Sequence, residues 1–219
     1  TMFLQITPDM YAVYERQIEE MFDLRHRVFC GRLGWVENLS GSDRDYFDDC
    51  DPTYVVKLAA NQKVVAAARL LPTLGPNMLR DVFPELVQFD QMPQAEDIWE
   101  CSRFAVDTEY MMRNGGYEAS SVAVQLFASL VEFGLSIGLS KIVSVSESRI
   151  ERIIRRSCWP IERLGDPQII GSTRAVALSG EVSEFALHFA YARTCKTEKA
   201  DHSDCLIDLE MLLGYLSIY

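Results

Sequence analysis

Three consecutive segments limit what this chain can fold into. Residues 98–106, IWECSRFAV, read as a β-strand. Residues 117–139 read as a long helix, with Val122, Leu126, Leu130, Phe133 and Ile137 on one stripe. Residues 142–146 follow at once as a buried strand. The flanking segments continue the alternation. Residues 8–32 read as a first helix, with Tyr14, Ile18, Met21, Phe22, Arg25 and Phe29 at helical spacing. Residues 54–60 and 63–71 read as two strands around the hairpin signal Asn61-Gln62. Four prolines in 72–93 point to turns and small helices. Residues 149–158 read as a helix with Ile150, Ile153, Ile154 and Cys158 inward. Residues 159–178 hold two more strands, broken at Gly165-Asp166-Pro167 and Gly171, and 181–195 is helical. This order predicts an α/β fold, a mixed sheet with helices on both faces in a three-layer αβα sandwich. No repeat or linker divides the chain, so one domain is expected over 1–219, with a core at about 8–180 and a less typical extension at 181–219.

Charge narrows the partners. The chain has 219 residues and a formal net charge of −11, which argues against nucleic acid and anionic membrane surfaces. The longest apolar stretch, 122–139, is interrupted by Gln125, Glu132 and two glycines, and reads as a buried helix instead of a membrane span. Six cysteines form no C-x-x-C and only three histidines exist, so no metal site is expected. The N-terminal residues lack a basic stretch followed by an apolar one, which predicts free thiols and a cytoplasmic location. The charge is also segregated. Residues 37–51 hold six acids against Arg44, whereas 149–163 holds five arginines against two acids.

Two clusters offer chemistry. In the first, Arg25 and Phe29 share a helical face by their i, i+4 spacing, and Trp35 with Asp45 and Asp48 follows. Aromatic faces and carboxylates together suit a cation. The second lies on the strand at 98–106. Alternation predicts Trp99, Cys101 and Arg103 on one face and Glu100, Ser102 and Phe104 on the other. Arg69 in the preceding strand is a third candidate. Charges in a central strand must be satisfied internally or by a ligand, so a buried network fixing the acidic loop to the sheet is the alternative.

Five ordered motifs carry a resemblance: LRHRVFCGRLGW (24–35), DRDYFDDCDPTYVV (43–56), VVAAARLLPTLGPNMLRDVFPEL (64–86), IWECSRFAV (98–106) and RAVAL (174–178). Over roughly residues 10–180 the chain resembles the LuxI-type acyl-homoserine-lactone synthases, which make bacterial quorum-sensing signals. The family's signature maps onto Arg25, Phe29, Trp35, Asp45, Asp48, Arg69, Phe83, Glu100 and Arg103, and Asp43 fills a further acidic position. The family often has Leu where this chain has Cys101.

The resemblance implies a GNAT-like N-acyltransferase fold, in which the strands at 98–106 and 142–146 splay to admit a thioester arm. It implies a two-part reaction. The amine of S-adenosylmethionine attacks an acyl thioester, and its carboxylate then closes a lactone and expels methylthioadenosine. A carboxylate base is needed, Glu100 first and Asp45 second, with Arg103 as a further catalytic candidate. Backbone N–H groups near Ser102 and Arg103 suit the oxyanion. S-adenosylmethionine is expected at Arg25, Phe29, Trp35, Asp45, Asp48, Arg69, Phe83, Arg103 and Phe104, and the acyl group at Ser102, Ser144 and Ser146. Trp159 and Phe127 read as core instead of pocket. The donor is expected to be acyl-carrier protein or acyl-CoA, docking on Arg149, Arg152 and Arg156 along one exposed stripe, with a solvated helix face as the alternative; Arg113-x-x-Gly116 is a weak echo of a phosphate loop, with a simple turn as the alternative. Both reactants are substrates, so no cofactor is expected. An N-acyltransferase acting on another amine is the alternative, though it gives no reason for Trp35, Asp45 and Asp48.

Overall fold

The computed structural model describes residues 2–32, 42–88, 92–114, 119–156, 159–170 and 173–197. Among these, eight strands form one mixed sheet: β1 (Met2–Ile6), β2 (Thr53–Leu58), β3 (Val64–Pro72), β4 (Ile98–Val106), β5 (Lys141–Glu147), β6 (Ile161–Arg163), β7 (Gln168–Ile170) and β8 (Thr173–Glu181). The order is β1-β2-β3-β4-β5-β8-β6, with β7 also on β8. Every pair is antiparallel except β4 with β5. That pair is parallel because the chain returns through a crossover carrying α3 (Thr108–Asn114) and α4 (Ala119–Ile137).

Helices cover both faces, as the alternation predicts. On one face α4 buries Val122, Leu126, Leu130 and Phe133 against Val65, Leu70, Cys101 and Ile142. Helix α6 (Glu184–Thr197) packs on α4, and α5 (Ser148–Arg156) lies beside it over β5 and β8. On the other face α1 (Glu15–His26) sets Met21, Phe22 and Leu24 against Tyr54, Val56, Ala67 and Ala105. The short helix α2 (Met78–Asp81) and the turn after it place Leu79 and Leu86 on Val143, Ala175 and Ala177.

Three local expectations change. The stretch read as one helix over 8–32 is a 3-10 turn at Pro8–Met10, then α1, then a π-helical segment at Arg27–Arg32. Strand β1 precedes it and is absent from the sequence reading, because a five-residue edge strand without a hairpin partner beside it carries little local signal. The 159–178 region holds three strands instead of two, and β8 runs on to Glu181. Helix α6 therefore starts later, with the Ser183 hydroxyl accepting from the Ala186 N–H at 3.1 Å.

The central strands separate as the resemblance implies. β4 and β5 are in register from Ile98 opposite Lys141 to Cys101 opposite Ser144, and no further. Beyond that point β4 pairs only with β3, and β5 only with β8. A bulge in β4 accompanies the divergence. Ser102 faces Arg69 and Ala105 faces Ala67, so Arg103 and Phe104 together oppose Ala68. Arg103 has φ 52°, a left-handed conformation costly for a side chain of this size. Such a bulge bends and twists its strand. It also overturns the simple alternation: Arg103 joins Glu100 on the α1 side, and Phe104 crosses to the α4 side.

Gly165 lies where the turn after β6 meets the segment after α2. A Cβ there would sit 2.4 Å from the Leu86 carbonyl oxygen, and the Gln88 N–H donates to the Leu164 carbonyl at 2.9 Å. Gly165→Ala is expected to cost about 1–3 kcal/mol by overpacking against backbone. Urea titration should show a lower midpoint at unchanged slope; an unmoved midpoint would mean the turn yields freely.

Candidate active site

The α1 side of the sheet holds a layer of three arginines and three aspartates. Each element supplies one part. β3 brings Arg69, opposite Tyr54 on β2. The β4 bulge brings Arg103, and α1 brings Arg25. The loop at 43–49 brings Asp43, Asp45 and Asp48. Asp45 and Asp48 first organise their own loop. The Asp45 carboxylate accepts from the Phe47 N–H and the Asp48 carboxylate from the Asp45 N–H, both at 2.9 Å. This reciprocal capping aims the remaining oxygens at the sheet.

Arg25 is fully committed. Its Nε donates to Asp43 at 2.9 Å, and its two terminal nitrogens grip Asp48 at 2.7 and 2.9 Å. Arg69 donates from Nε to the Ser102 hydroxyl at 3.1 Å and from Nη1 to Asp45 at 2.5 Å, with Asp48 2.9 Å away. Its Nη2 meets the Met78 sulfur at 3.1 Å. Arg103 donates from Nη2 to Asp45 at 2.7 Å and lies 5.2 Å over the Phe29 ring. Its buried Nε is 3.2 Å from Asp43 but makes no aligned hydrogen bond. Three cations against three anions leave the layer near neutral, which is how such burial is tolerated.

Burial alone would raise the Asp48 carboxyl, but the Arg25 hydrogen bonds and the charges of Arg25 and Arg69 outweigh it. The group is held well below the ordinary carboxylate range. Tyr54 donates to Asp48 at 2.9 Å; burial, then the Asp48 charge, pushes its phenol up, so it stays neutral. Within the layer Asp45 is the carboxylate that reaches solvent, its side chain 23% exposed against 1% for Asp43 and 0% for Asp48.

Glu100 lies on the same side but is wholly buried. Its carboxylate accepts the Met78 N–H at 3.1 Å and the Leu79 N–H at 2.7 Å, at the start of α2. Burial raises this carboxyl, and the backbone donors with Arg69 and the Ser102 hydroxyl only partly oppose it. Glu100 is therefore a carboxyl poised nearer to proton exchange than an exposed one.

The gap between β4 and β5 opens on the α4 side as a pocket. Ser102, Ser144 and Ser146 line it together with Phe104, Phe127, Trp159, Ile150 and Ile154. The Ser144 and Ser146 hydroxyls are 3.3 Å apart. Phe104 stacks on Phe127 at 4.5 Å. Trp159 donates its indole N–H to the Glu181 carbonyl at 2.6 Å and lies against Gly180, where a Cβ would be 2.8 Å from the ring. Phe127 and Trp159 are thus both core and pocket floor. Ser102 is common to both regions: it lines the pocket and accepts from Arg69.

The structure brings together Arg25, Phe29, Asp45, Asp48, Arg69 and Arg103. It does not place Phe104 with them, because the bulge turns it into the pocket. Phe83 is half-buried beside Leu79 and Leu86 and lies outside the ion-pair layer. Trp35 and the Gly116 end of the 113–116 echo lie outside the described residues, as do the side chains of Arg149 and Arg156. Arg152 is exposed on α5. The other arginines of that basic stretch, Arg155 and Arg163, are engaged with Glu151. Tyr54 and Glu151 escaped the sequence reading. Their signal was an acid or hydroxyl at an otherwise inward position, which only tertiary partners explain. Among the described residues no helix is long and apolar enough to cross a membrane.

A mixed sheet splayed at its central parallel pair, with helices on both faces, is a GNAT-like fold. The same fold is seen in a putative N-acetyltransferase from Lactobacillus plantarum, at TM-score 0.53 and 15% identity over 83% of this chain and 98% of the other. The chain belongs to the autoinducer synthase family, whose model matches residues 9–187. It is 36% identical over 175 residues to the acyl-homoserine-lactone synthase of Agrobacterium fabrum, covering 80% of this chain and 83% of that one. It is 41% identical over 156 residues to a probable acyl-homoserine-lactone synthase of Sinorhizobium fredii, covering 71% and 75%. Among solved structures it resembles a CoA-dependent acyl-homoserine lactone synthase, BjaI, with SAM and isopentyl-CoA, at TM-score 0.78 and 27% identity over 88% and 89% of the two chains.

Proposed function

We propose that this chain is an acyl-homoserine-lactone synthase that acylates the amine of S-adenosylmethionine from a thioester and then closes the lactone. The products are N-acyl-homoserine lactone and methylthioadenosine. The observation that carries the reading is the meeting of two unlike sites at Ser102. A charged layer with one accessible carboxylate lies on one side, and an apolar pocket between splayed strands lies on the other. Relatives with this activity, and BjaI with both SAM and isopentyl-CoA, support it.

In this reading S-adenosylmethionine lies over Asp45, Arg103 and Phe29, and the family resemblance adds Trp35 and Phe83 to its binding residues. Asp45 faces the cationic end. Arg103, whose Nε has no aligned acceptor, holds the methionyl carboxylate. Arg25 and Asp48 anchor the loop, since every nitrogen of that guanidinium is already used. Glu100 takes the amine proton, directly or through water, and its raised carboxyl suits that role. Backbone N–H groups at the bulge meet the oxyanion. The acyl chain enters the pocket past Ser102, Ser144 and Ser146. The donor, acyl-carrier protein or acyl-CoA, docks on the basic stripe of α5, of which Arg152 is exposed. Both reactants are substrates, and no cofactor or metal has a part. The cytoplasm is the compartment this reading assigns.

Incubation with S-adenosylmethionine and a panel of acyl-carrier-protein and CoA thioesters is expected to yield lactone and methylthioadenosine in equal amounts by mass spectrometry. An acylated product without ring closure, or no acylation by any donor, would overturn the reading.

A further inference from the structure

The basic stretch at 149–163 contains an acid that does not belong to a solvated face. Glu151 is 2% exposed. Its carboxylate accepts from Arg163 at 2.8 and 3.0 Å, from Nε and Nη2, and from Arg155 Nε at 3.0 Å. Arg155 also reaches the Ile161 carbonyl, at 3.5 Å. Arg163 and Ile161 belong to β6, so these bonds fasten α5 to β6. The fastened pieces are one wall of the pocket, since Ile150 and Ile154 from α5 and Ile161 from β6 all face it.

That wall matters because the pocket between the splayed strands is small, with a cavity of about 30 Å³ open to water. The room it offers an acyl chain depends on how closely α5 and β6 sit against it, so a longer chain bears on that wall. The sheet side is tied by the β5–β8 ladder, and the floor is pinned where Trp159 donates to the Glu181 carbonyl against Gly180. Helix α5 is held at its first residue by the Ser148 hydroxyl, which donates to the Arg174 carbonyl at 3.2 Å, and along its length by apolar contact and the Glu151 bonds. A forked arginine on a buried carboxylate fixes geometry more than it adds energy, because the guanidinium groups are about half exposed.

We infer that Glu151 is a positioning residue that sets the length of acyl chain the enzyme accepts, by clamping α5 to β6 through Arg155 and Arg163. The inference rests on the pocket being the acyl site. Loosening the clamp lets α5 tilt away as a unit and gives room beyond Ile150 and Ile154. The charges on α5 that receive the donor are then mechanically continuous with the wall that measures its acyl chain.

The test compares Glu151→Gln and Arg163→Gln with the unaltered enzyme on acyl thioesters of increasing length. In both variants the ratio of kcat/KM for long against preferred donors is expected to rise about tenfold, the scale set by a few methylenes in an apolar pocket. The KM for S-adenosylmethionine should stay unchanged. Should Glu151→Gln fail to fold, judged by circular dichroism, Arg163→Gln decides the matter, because it cuts the clamp from its exposed side. An unchanged length ratio in a folded variant overturns the inference, and so does a uniform fall for every donor. Either result alongside normal lactone formation by the unaltered enzyme would leave the proposed function standing. Absence of lactone from the unaltered enzyme with every donor would instead remove the acyl site, and the inference with it.

Discussion

Glu100→Gln is expected to lower turnover by about 10²–10⁴-fold while changing the affinity for S-adenosylmethionine little. Glutamine keeps the size of the side chain and one acceptor oxygen for the N–H groups of Met78 and Leu79. It cannot take a proton. Its amide can turn only one acceptor toward α2, so a modest stability loss of about 1 kcal/mol should accompany the change. Titration calorimetry with S-adenosylmethionine separates binding from turnover. Equal losses in both would assign Glu100 to holding α2 and the ligand instead of to proton transfer. The pH profile gives a second readout. Burial raises this carboxyl, so the acid limb of kcat should lie above the ordinary glutamate range and vanish in the variant. The linkage has a definite sign: a carboxyl raised in the folded state favours folding at low pH, and that contribution is lost as pH rises through the folded value.

The largest stability effect is expected from Arg25→Met. It removes three charge-assisted hydrogen bonds from Asp43 and Asp48, which are almost fully buried, and leaves them only Arg69 and Arg103 as cations. Stranding a buried charge in this way costs about 3–5 kcal/mol. Urea unfolding at neutral pH measures it, and a loss below about 1 kcal/mol would show that the layer is not what fixes the loop. The pH dependence runs opposite to that of Glu100. Asp48 is depressed in the folded state, so its contribution is present above the unfolded carboxylate value and lost as pH falls toward the folded one. In the Met variant Asp48 loses its main partner, so the gap between variant and unaltered protein should narrow in acid.

Much of this site could be read in the sequence because its residues recur in ordered motifs. The i, i+4 spacing of Arg25 and Phe29, and the pairing of Asp45 with Asp48 in a short loop, are local facts. The hairpin at 53–72, the long helix and the two central strands are legible for the same reason, since each carries its own periodicity. What alternation could not supply was the turn of Arg103 onto the face of Glu100. A bulge adds one residue to the count, and no residue type announces it: Arg103 adopts φ 52° without being glycine. Phe104 was misplaced by that same single step. The role of Glu151 was hidden differently. In sequence it only dilutes a basic stretch, and its meaning depends on Arg163 arriving from another strand. The edge strand β1 was missed because its partner, β2, lies some fifty residues along the chain.

The lone parallel pair divides the sheet in chain order. Strands β1 to β4 come from residues up to 106, and β5 to β8 from residues 141 to 181, so the seam between β4 and β5 joins an earlier half to a later one. Hairpins such as β2–β3 close over a few residues, whereas Ile98 must find Lys141 across the whole crossover. Loop closure makes that docking entropically the costlier step and places it after local pairing. The gap between β4 and β5 is the unfinished end of this seam. It comes into existence only when both halves have formed and met, so a partly synthesised chain, however well its first sheet is folded, has no such cleft.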